Sequence, residues 1–146
     1  LLGQGGGPDT VAEGVSIYRR AVEAQGRVFD TSMVGLTRAL HIAMNDNERE
    51  AALALRAKFM AQVEELSLSP TGDSPTLGRP RKRMTNAERN ALTERDALIG
   101  RPEEIIGRIK RLQEAGVEYI MVIDFAGSRA HLRTFAREVM PAFATS

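Results

Sequence analysis

The sequence predicts an α/β protein in which parallel strands are covered by amphipathic helices. Residues 33–44 and 117–125 have the length and apolar content of buried strands. Helical segments with clear start and stop signals separate them, and such alternation produces parallel sheets joined by right-handed crossovers. A sheet of two or three strands keeps unpaired edges, so we expect a partner or a missing segment to complete it.

The chain opens with a strand end, a glycine turn and a helix. The apolar pair before Gly3 indicates the end of a strand whose beginning is missing. After the turn at residues 5–8, Asp9 or Thr10 is suited to cap a helix, which Gly26 ends. The helix has an apolar stripe at helical spacing, formed by Val11, Val15, Tyr18 and Val22.

A strand and a long helix come next. Over residues 33–44 apolar side chains alternate with smaller ones; Arg38 interrupts the apolar face and His41 lies on the opposite face. The alanine-rich segment 47–66 then predicts a helix. Its expected core stripe consists of Ala52, Leu55, Phe59, Val63 and Leu66.

The second half begins with a breaker-rich loop at about 67–84, which contains three prolines and two glycines. A short helix over about 85–97 follows, capped by Thr85 or Asn86 with Glu88 near the third position. Pro102 marks the start of another helix, with Ile105, Ile109 and Leu112 facing inward, and Gly116 closes it.

The chain ends with a strand and a helix. Residues 117–125 are nearly continuously apolar, which predicts a strand buried on both faces. Ser128 can cap the final helix. The apolar stripe of that helix comprises Leu132, Phe135, Ala136 and Val139.

Composition limits the classes of function. The chain has 146 residues, 42% of them hydrophobic, and a formal net charge of +1. These values fit one globular domain and give no electrostatic footprint for nucleic acid or an anionic membrane. No apolar run is long enough to span a bilayer. The absence of cysteine excludes disulfides and fits a reducing cytoplasm, so we expect a cytoplasmic protein.

Several segments resemble one family. Residues 98–106 and 112–120 are similar to the "IGTPEEV … LxEAGVDxxxL" signature of luciferase-like, flavin-dependent monooxygenases. Residues 132–141 resemble the family's terminal helix, residues 18–27 its "YRxAxxEAGRDP" helix and residues 35–43 its next-to-last strand. Residues 1–8 look like its glycine-rich "LIGGGGP" strand end. The resemblance covers most of the chain in the correct order, residues 67–97 being the weak stretch.

The resemblance implies a partial TIM-type (β/α) barrel, of which residues 1–146 would be the C-terminal portion. It further implies an oxidoreductase that uses flavin mononucleotide (FMN) or a deazaflavin and a small organic substrate. The family's "AARxADGW" stretch is missing after the glycines, and its N-terminal strands are absent. We therefore expect an inactive isolated chain, either one part of a barrel or a homodimer. The alternative is a non-catalytic α/β module that associates with itself through its sheet edge.

The glycines are the best candidates for binding the cofactor. Gly5, Gly6 and Gly7 would let the backbone approach an anion at the positive end of the following helix. The spacing fails the dinucleotide fingerprint, because Pro8 stands where the third glycine belongs. The alternative is a flexible terminus that binds no ligand.

Arg38 and His41 are weaker candidates at the end of a strand, where barrel active sites gather. Arg38 can pair with an anionic group, and His41 can act as a general base or contact a flavin. The alternative is that His41 fills an interface and Arg38 pairs with a neighbouring carboxylate. We place no acid or second histidine beside His41 and expect His131 to be solvated. With two distant histidines we predict no metal site.

Two further features receive structural interpretations. Asp124 ends the last strand and more often caps the following turn than lines a pocket mouth. A basic run in the long loop lacks interleaved aromatic residues, so a solvated loop is favoured over a nucleic-acid site. That run consists of Arg79, Arg81, Lys82 and Arg83.

Overall fold

The computed structural model describes residues 5–67 and 83–144, in which helices and strands alternate. In chain order the elements are α1 (Pro8–Glu23), β1 (Gly35–Ile42), α2 (Asp46–Ser67), α3 (Asn86–Asp96), β2 (Leu98–Gly100), α4 (Pro102–Glu114), β3 (Tyr119–Asp124) and α5 (Arg129–Thr134). A 3-10 turn, Thr31–Met33, precedes β1. A π turn, Phe135–Val139, and a 3-10 turn, Met140–Phe143, follow α5. The predicted strand end at residues 1–3 and nearly all of the predicted loop lie outside the described residues.

The three strands form one parallel sheet in the order β2, β1, β3. Leu40 of β1 lies beside Leu98 of β2 on one side and beside Asp124 of β3 on the other. Because β1 is paired on both sides and covered by helices, all of its residues except His41 are buried. The predicted α/β class with parallel strands is confirmed.

Helices cover both faces of β1. On one face, the first apolar cluster joins α1 and α4 to the sheet through Val11, Val15, Val34, Leu36, Leu112 and Val117. The second cluster, on the same face, contains Leu40, Ile42, Leu98, Ile105, Ile109 and Val139. On the opposite face Ala39 packs against Ala52 of α2. The inward residues predicted for α4 are therefore confirmed.

The helix ends follow the sequence signals, with one exception. Thr85 forms a capping box with Glu88, and Ser128 caps α5 by accepting a hydrogen bond from the backbone of His131. Gly26 and Gly116 have positive φ where their helices end, as predicted. The exception is α1, whose N-cap is Gly7 and not Asp9 or Thr10, with Pro8 as its first residue.

The predicted core stripe of α2 is wrong. Ala52 is buried, but the other four members are between 37% and 87% exposed: Leu55, Phe59, Val63 and Leu66. Helical periodicity identifies an apolar face without showing that another element covers it. The other side of α2 packs on α3 instead, where Glu64 and Arg89 form a buried ion pair.

Three other burial predictions also fail. Tyr119 and Met121 of β3 are exposed, because β3 is an edge strand of the described sheet and one face lacks cover. Tyr18 of α1 is 44% exposed, and in the last helix Val139 is buried while Leu132 is exposed. β2 was not predicted from the sequence, where Leu98 and Ile99 were assigned to no helix or strand.

Candidate functional site

The glycine turn and Arg38 meet at the start of α1. Arg38 is fully buried, with 1% of its surface exposed. Its Nη2 donates a 2.7 Å hydrogen bond to the carbonyl of Gly6, and its Nη1 donates a 3.1 Å bond to the carbonyl of Thr37. Burial lowers the pKa of Arg38, while the charge of Asp96 acts in the opposite direction. The guanidinium thus holds the glycine turn against β1.

The backbone of the turn depends on glycine at one position above all. Gly6 has a φ of +100°, and a Cβ there would lie 3.0 Å from the Thr10 side chain. Gly7 has ordinary angles and caps α1 without a side-chain hydrogen bond. A Cβ on Gly7 would be 3.5 Å from Arg95, so the turn lies close to the end of α3. The first turn of α1, whose backbone amides lack partners within the helix, begins directly after these glycines.

A polar cleft of about 270 Å³ opens beside Gly6 and Pro8. Its charged lining residues are Arg38, Glu94, Arg95, Asp96, Arg108 and Arg111. Arg95 is bonded to Asp96, and Arg108 donates to the backbone carbonyls of Glu94 and Ala97. Four arginines against two carboxylates give the cleft a positive balance, which favours an anion.

His41 lies at the other candidate site, with neighbours that the sequence analysis did not foresee. The rings of His41 and His131 are 4.5 Å apart. Nδ1 of His131 lies 3.6 Å from the Asp124 carboxylate, and its side chain is 22% exposed. The expectations that no second histidine stands beside His41 and that His131 is solvated are therefore wrong.

Burial and nearby charges act on His41, and backbone hydrogen bonds hold Asp124 beside it. Burial lowers the pKa of His41, the nearby His131 adds to this effect, and Asp124 and Glu48 oppose it. Asp124 accepts hydrogen bonds from the backbone N–H groups of Ala126 and Ser128, which confirms its predicted role as a turn cap.

The sequence candidates therefore fall into two groups. The glycines and Arg38 come together, whereas His41 lies on the opposite face of β1 because strand residues alternate. Arg108 and Arg111 were missed, although their spacing on a predicted helix places them near one another. Of the basic run, only Arg83 lies within the described residues, where it pairs with Glu65.

Within residues 5–67 and 83–144, no helix has the length and hydropathy needed to cross a membrane.

A family model matches most of the chain, and a solved structure shares its fold. A family model described as luciferase-like monooxygenase matches residues 1–119. The crystal structure of the monooxygenase RslO1 from Streptomyces bottropensis superposes with a TM-score of 0.61 at 17% sequence identity. The match covers 94% of this chain and 39% of that chain. No curated protein matches the sequence. The superposition confirms the expected partial TIM-type barrel, and the chain spans less than half of its structural relative.

Proposed function

The chain belongs to the luciferase-like monooxygenase family, and on that premise we propose that it forms the cofactor-phosphate end of a flavin-dependent oxidoreductase. The proposed contacts are the backbone of Gly5, Gly6 and Gly7, together with the arginine-lined cleft beside them. The cofactor is FMN or a deazaflavin that carries the same phosphate. When bound in a complete site, the flavin ring supplies the redox chemistry.

The observation that carries this proposal is the hydrogen bond between Arg38 and Gly6. A guanidinium buried under a glycine turn keeps the turn in one conformation, so its amides are arranged before a phosphate arrives. Gly6 adopts a positive φ that favours glycine, and a Cβ there would collide with the Thr10 side chain, so glycine keeps the turn in this conformation. The N-terminal end of α1 and the positive charge of Arg111 favour the same kind of ligand.

The size of the cleft limits the proposal to one end of the cofactor. Its volume of about 270 Å³ is below the ~300–1,000 Å³ typical of pockets that enclose a drug-sized ligand. A phosphate and part of its chain fit there. We assign the flavin ring and substrate contacts to barrel strands beyond the three described here. His41 faces away from Arg38, so we place no proton transfer on it.

Flavin titration tests the proposal. FMN fluorescence should be quenched when FMN binds. The chain should bind FMN about tenfold or more tightly than riboflavin, which lacks the phosphate. A tenfold difference in affinity corresponds to about 1.4 kcal/mol. Arg111→Ala should remove most of this preference. Lys110→Ala, a change of the neighbouring exposed residue, should leave it intact. Equal binding of FMN and riboflavin, or no binding of either, would reject the phosphate site.

A second candidate is the non-catalytic module that associates with itself. Two exposed apolar surfaces favour self-association, because monomers rarely leave large apolar surfaces uncovered. One is the exposed stripe of α2, formed by Leu55, Phe59, Val63 and Leu66. The other consists of Tyr119 and Met121 of β3. An apolar groove of about 560 Å³ also runs beside β3. A stable dimer of 16.0 kDa chains that binds no FMN would support this candidate over the first.

A further inference from the structure

The fold brings together every histidine that the chain possesses. The sequence contains two histidines and no cysteine. The two histidines are 90 positions apart in the chain, yet their ring centroids lie 4.5 Å from each other. The Asp124 carboxylate lies beside both of them. One potential ligand atom from each of the three residues lies within 4.8 Å of the other two.

The separation of His131 and Asp124 fits a shared ion better than a direct bond. Nδ1 of His131 is buried and has no hydrogen-bond partner, although Asp124 Oδ1 is 3.6 Å away. That distance exceeds the usual N–H···O range of ~2.7–3.2 Å. Two ligands of a tetrahedral zinc ion, each ~2.0–2.1 Å from the metal, lie roughly 3.4 Å apart. One metal ion bound between the two residues would give Nδ1 of His131 a partner with little movement of the side chain.

The surrounding hydrogen bonds hold the carboxylate and His131 in place. Asp124 Oδ1 accepts from Ala126 N at 3.0 Å, and Oδ2 accepts from Ser128 N at 2.7 Å. Ser128 Oγ accepts in turn from His131 N at 3.3 Å. Such outer contacts orient the ligands of metal sites and keep carboxylate lone pairs directed at the ion. These hydrogen bonds therefore fix the positions of Asp124 and His131 within residues 124–131.

We propose that His41, Asp124 and His131 bind a divalent transition-metal ion of the zinc type. Two imidazoles and one carboxylate suit Zn²⁺, Co²⁺ or Ni²⁺ and disfavour Mg²⁺ and Ca²⁺, which prefer oxygen ligands alone. The ion ties the ends of β1 and β3 to the start of α5, and water completes its coordination. It lies on the opposite face of β1 from Arg38 and is independent of the proposed cofactor site.

Titration of the untagged chain with Co²⁺ and Zn²⁺ tests this site. Co²⁺ should produce visible absorption at one equivalent, and Zn²⁺ should displace it and raise the melting temperature. His131→Gln and His41→Gln should each weaken Zn²⁺ binding by about 100-fold, as expected when a ligand is lost. Glu48→Gln changes a nearby carboxylate that already bonds Met44 N and Asn45, and it should retain binding.

Two controls make the result decisive. Circular dichroism of the metal-free variants establishes whether they fold. If a variant does not, the imidazole ¹⁵N resonances of the unaltered chain decide, because both histidines should shift when Zn²⁺ is added. Absence of Co²⁺ absorption, unshifted imidazole resonances, or histidine variants that bind Zn²⁺ as tightly as the unaltered chain would overturn the proposal.

Discussion

Arg38 and Gly6 are joined by a 2.7 Å hydrogen bond although 32 positions separate them in the chain. The bond connects the buried centre of the sheet to the turn from which α1 begins. It therefore couples the stability of the fold to the geometry of the proposed phosphate site.

Arg38→Met tests this coupling, because methionine fills similar volume without donating hydrogen bonds. The carbonyls of Gly6 and Thr37 would each lose the hydrogen bond that Arg38 donates. We expect the free energy of unfolding in urea to fall by about 2–4 kcal/mol, since each buried group left unpaired costs about 1–3 kcal/mol. Arg27→Met, at an exposed position, should change it by less than about 0.5 kcal/mol. An unchanged stability for Arg38→Met would show that the bond does not hold the turn.

Gly6→Ala should destabilise the chain and weaken FMN binding together. A residue with a Cβ is strained at a φ of +100°, and the new atom meets Thr10 at 3.0 Å. The expected loss is about 1–3 kcal/mol. Gly107→Ala provides the matched control, because this glycine lies within α4 and its Cβ would meet nothing within 4 Å. That change should stabilise the chain by about 0.5–1 kcal/mol. If both variants melt alike, glycine at position 6 is not required by the backbone.

The ion pair between Glu64 and Arg89 should make stability depend on pH in acid. Both side chains are about nine-tenths buried. The hydrogen bond from Arg89 lowers the pKa of Glu64, and the backbone N–H of Met84 acts in the same direction, against the effect of burial. Because the folded-state pKa lies below the unfolded value, the stabilisation is present above the unfolded value and is lost as pH falls through the folded one.

Glu64→Gln should therefore cost about 3 kcal/mol at neutral pH, where it breaks a buried pair. The difference from the unaltered chain should shrink as the pH is lowered below 4.5, the usual value for this group. Glu65→Gln is the adjacent control; its partner Arg83 is exposed, so the expected cost is below about 1 kcal/mol. A pH-independent difference for Glu64→Gln would contradict the assignment.

If the exposed stripe of α2 mediates self-association of the chain, lysine substitutions in the stripe should prevent it. Val63 and Leu66 are 47% and 87% exposed. If the stripe is a contact surface, Val63→Lys with Leu66→Lys should lower the mass measured by light scattering toward 16.0 kDa, while the circular dichroism spectrum of the folded chain stays the same. Gln62→Lys, which adds charge beside the stripe, should not reduce the mass. A monomer before any substitution would remove the stripe as a site of self-association.

Local sequence signals located most of the elements. Pro102 and Gly116 bracket α4, and the spacing of Thr85 and Glu88 identified the start of α3, because helix ends are set by neighbouring residues. β2 was missed since three residues carry no measurable periodicity. The stripe of α2 was found as a pattern but placed wrongly in the core, because burial depends on elements elsewhere in space.

The candidate sites divide in the same way. The glycine turn was visible from the order of residues 5–8, whereas its bond to Arg38 depends on how β1 packs beneath it. His131 was judged solvated because its helix has a polar side at that position. Only the adjacency of β1 and β3, seen in the pairing of Leu40 with Asp124, brings it beside His41. Spacing in one sequence does not reveal such long-range neighbours.

The most direct test of the cofactor-phosphate site is an NMR titration of the ¹⁵N-labelled chain with FMN and with inorganic phosphate. We expect the amide resonances of Gly5, Gly6, Gly7 and Asp9 to shift with both ligands and to stay in place when riboflavin is added. Shifts confined to other regions, or a glycine turn that responds to neither phosphate compound, would contradict it.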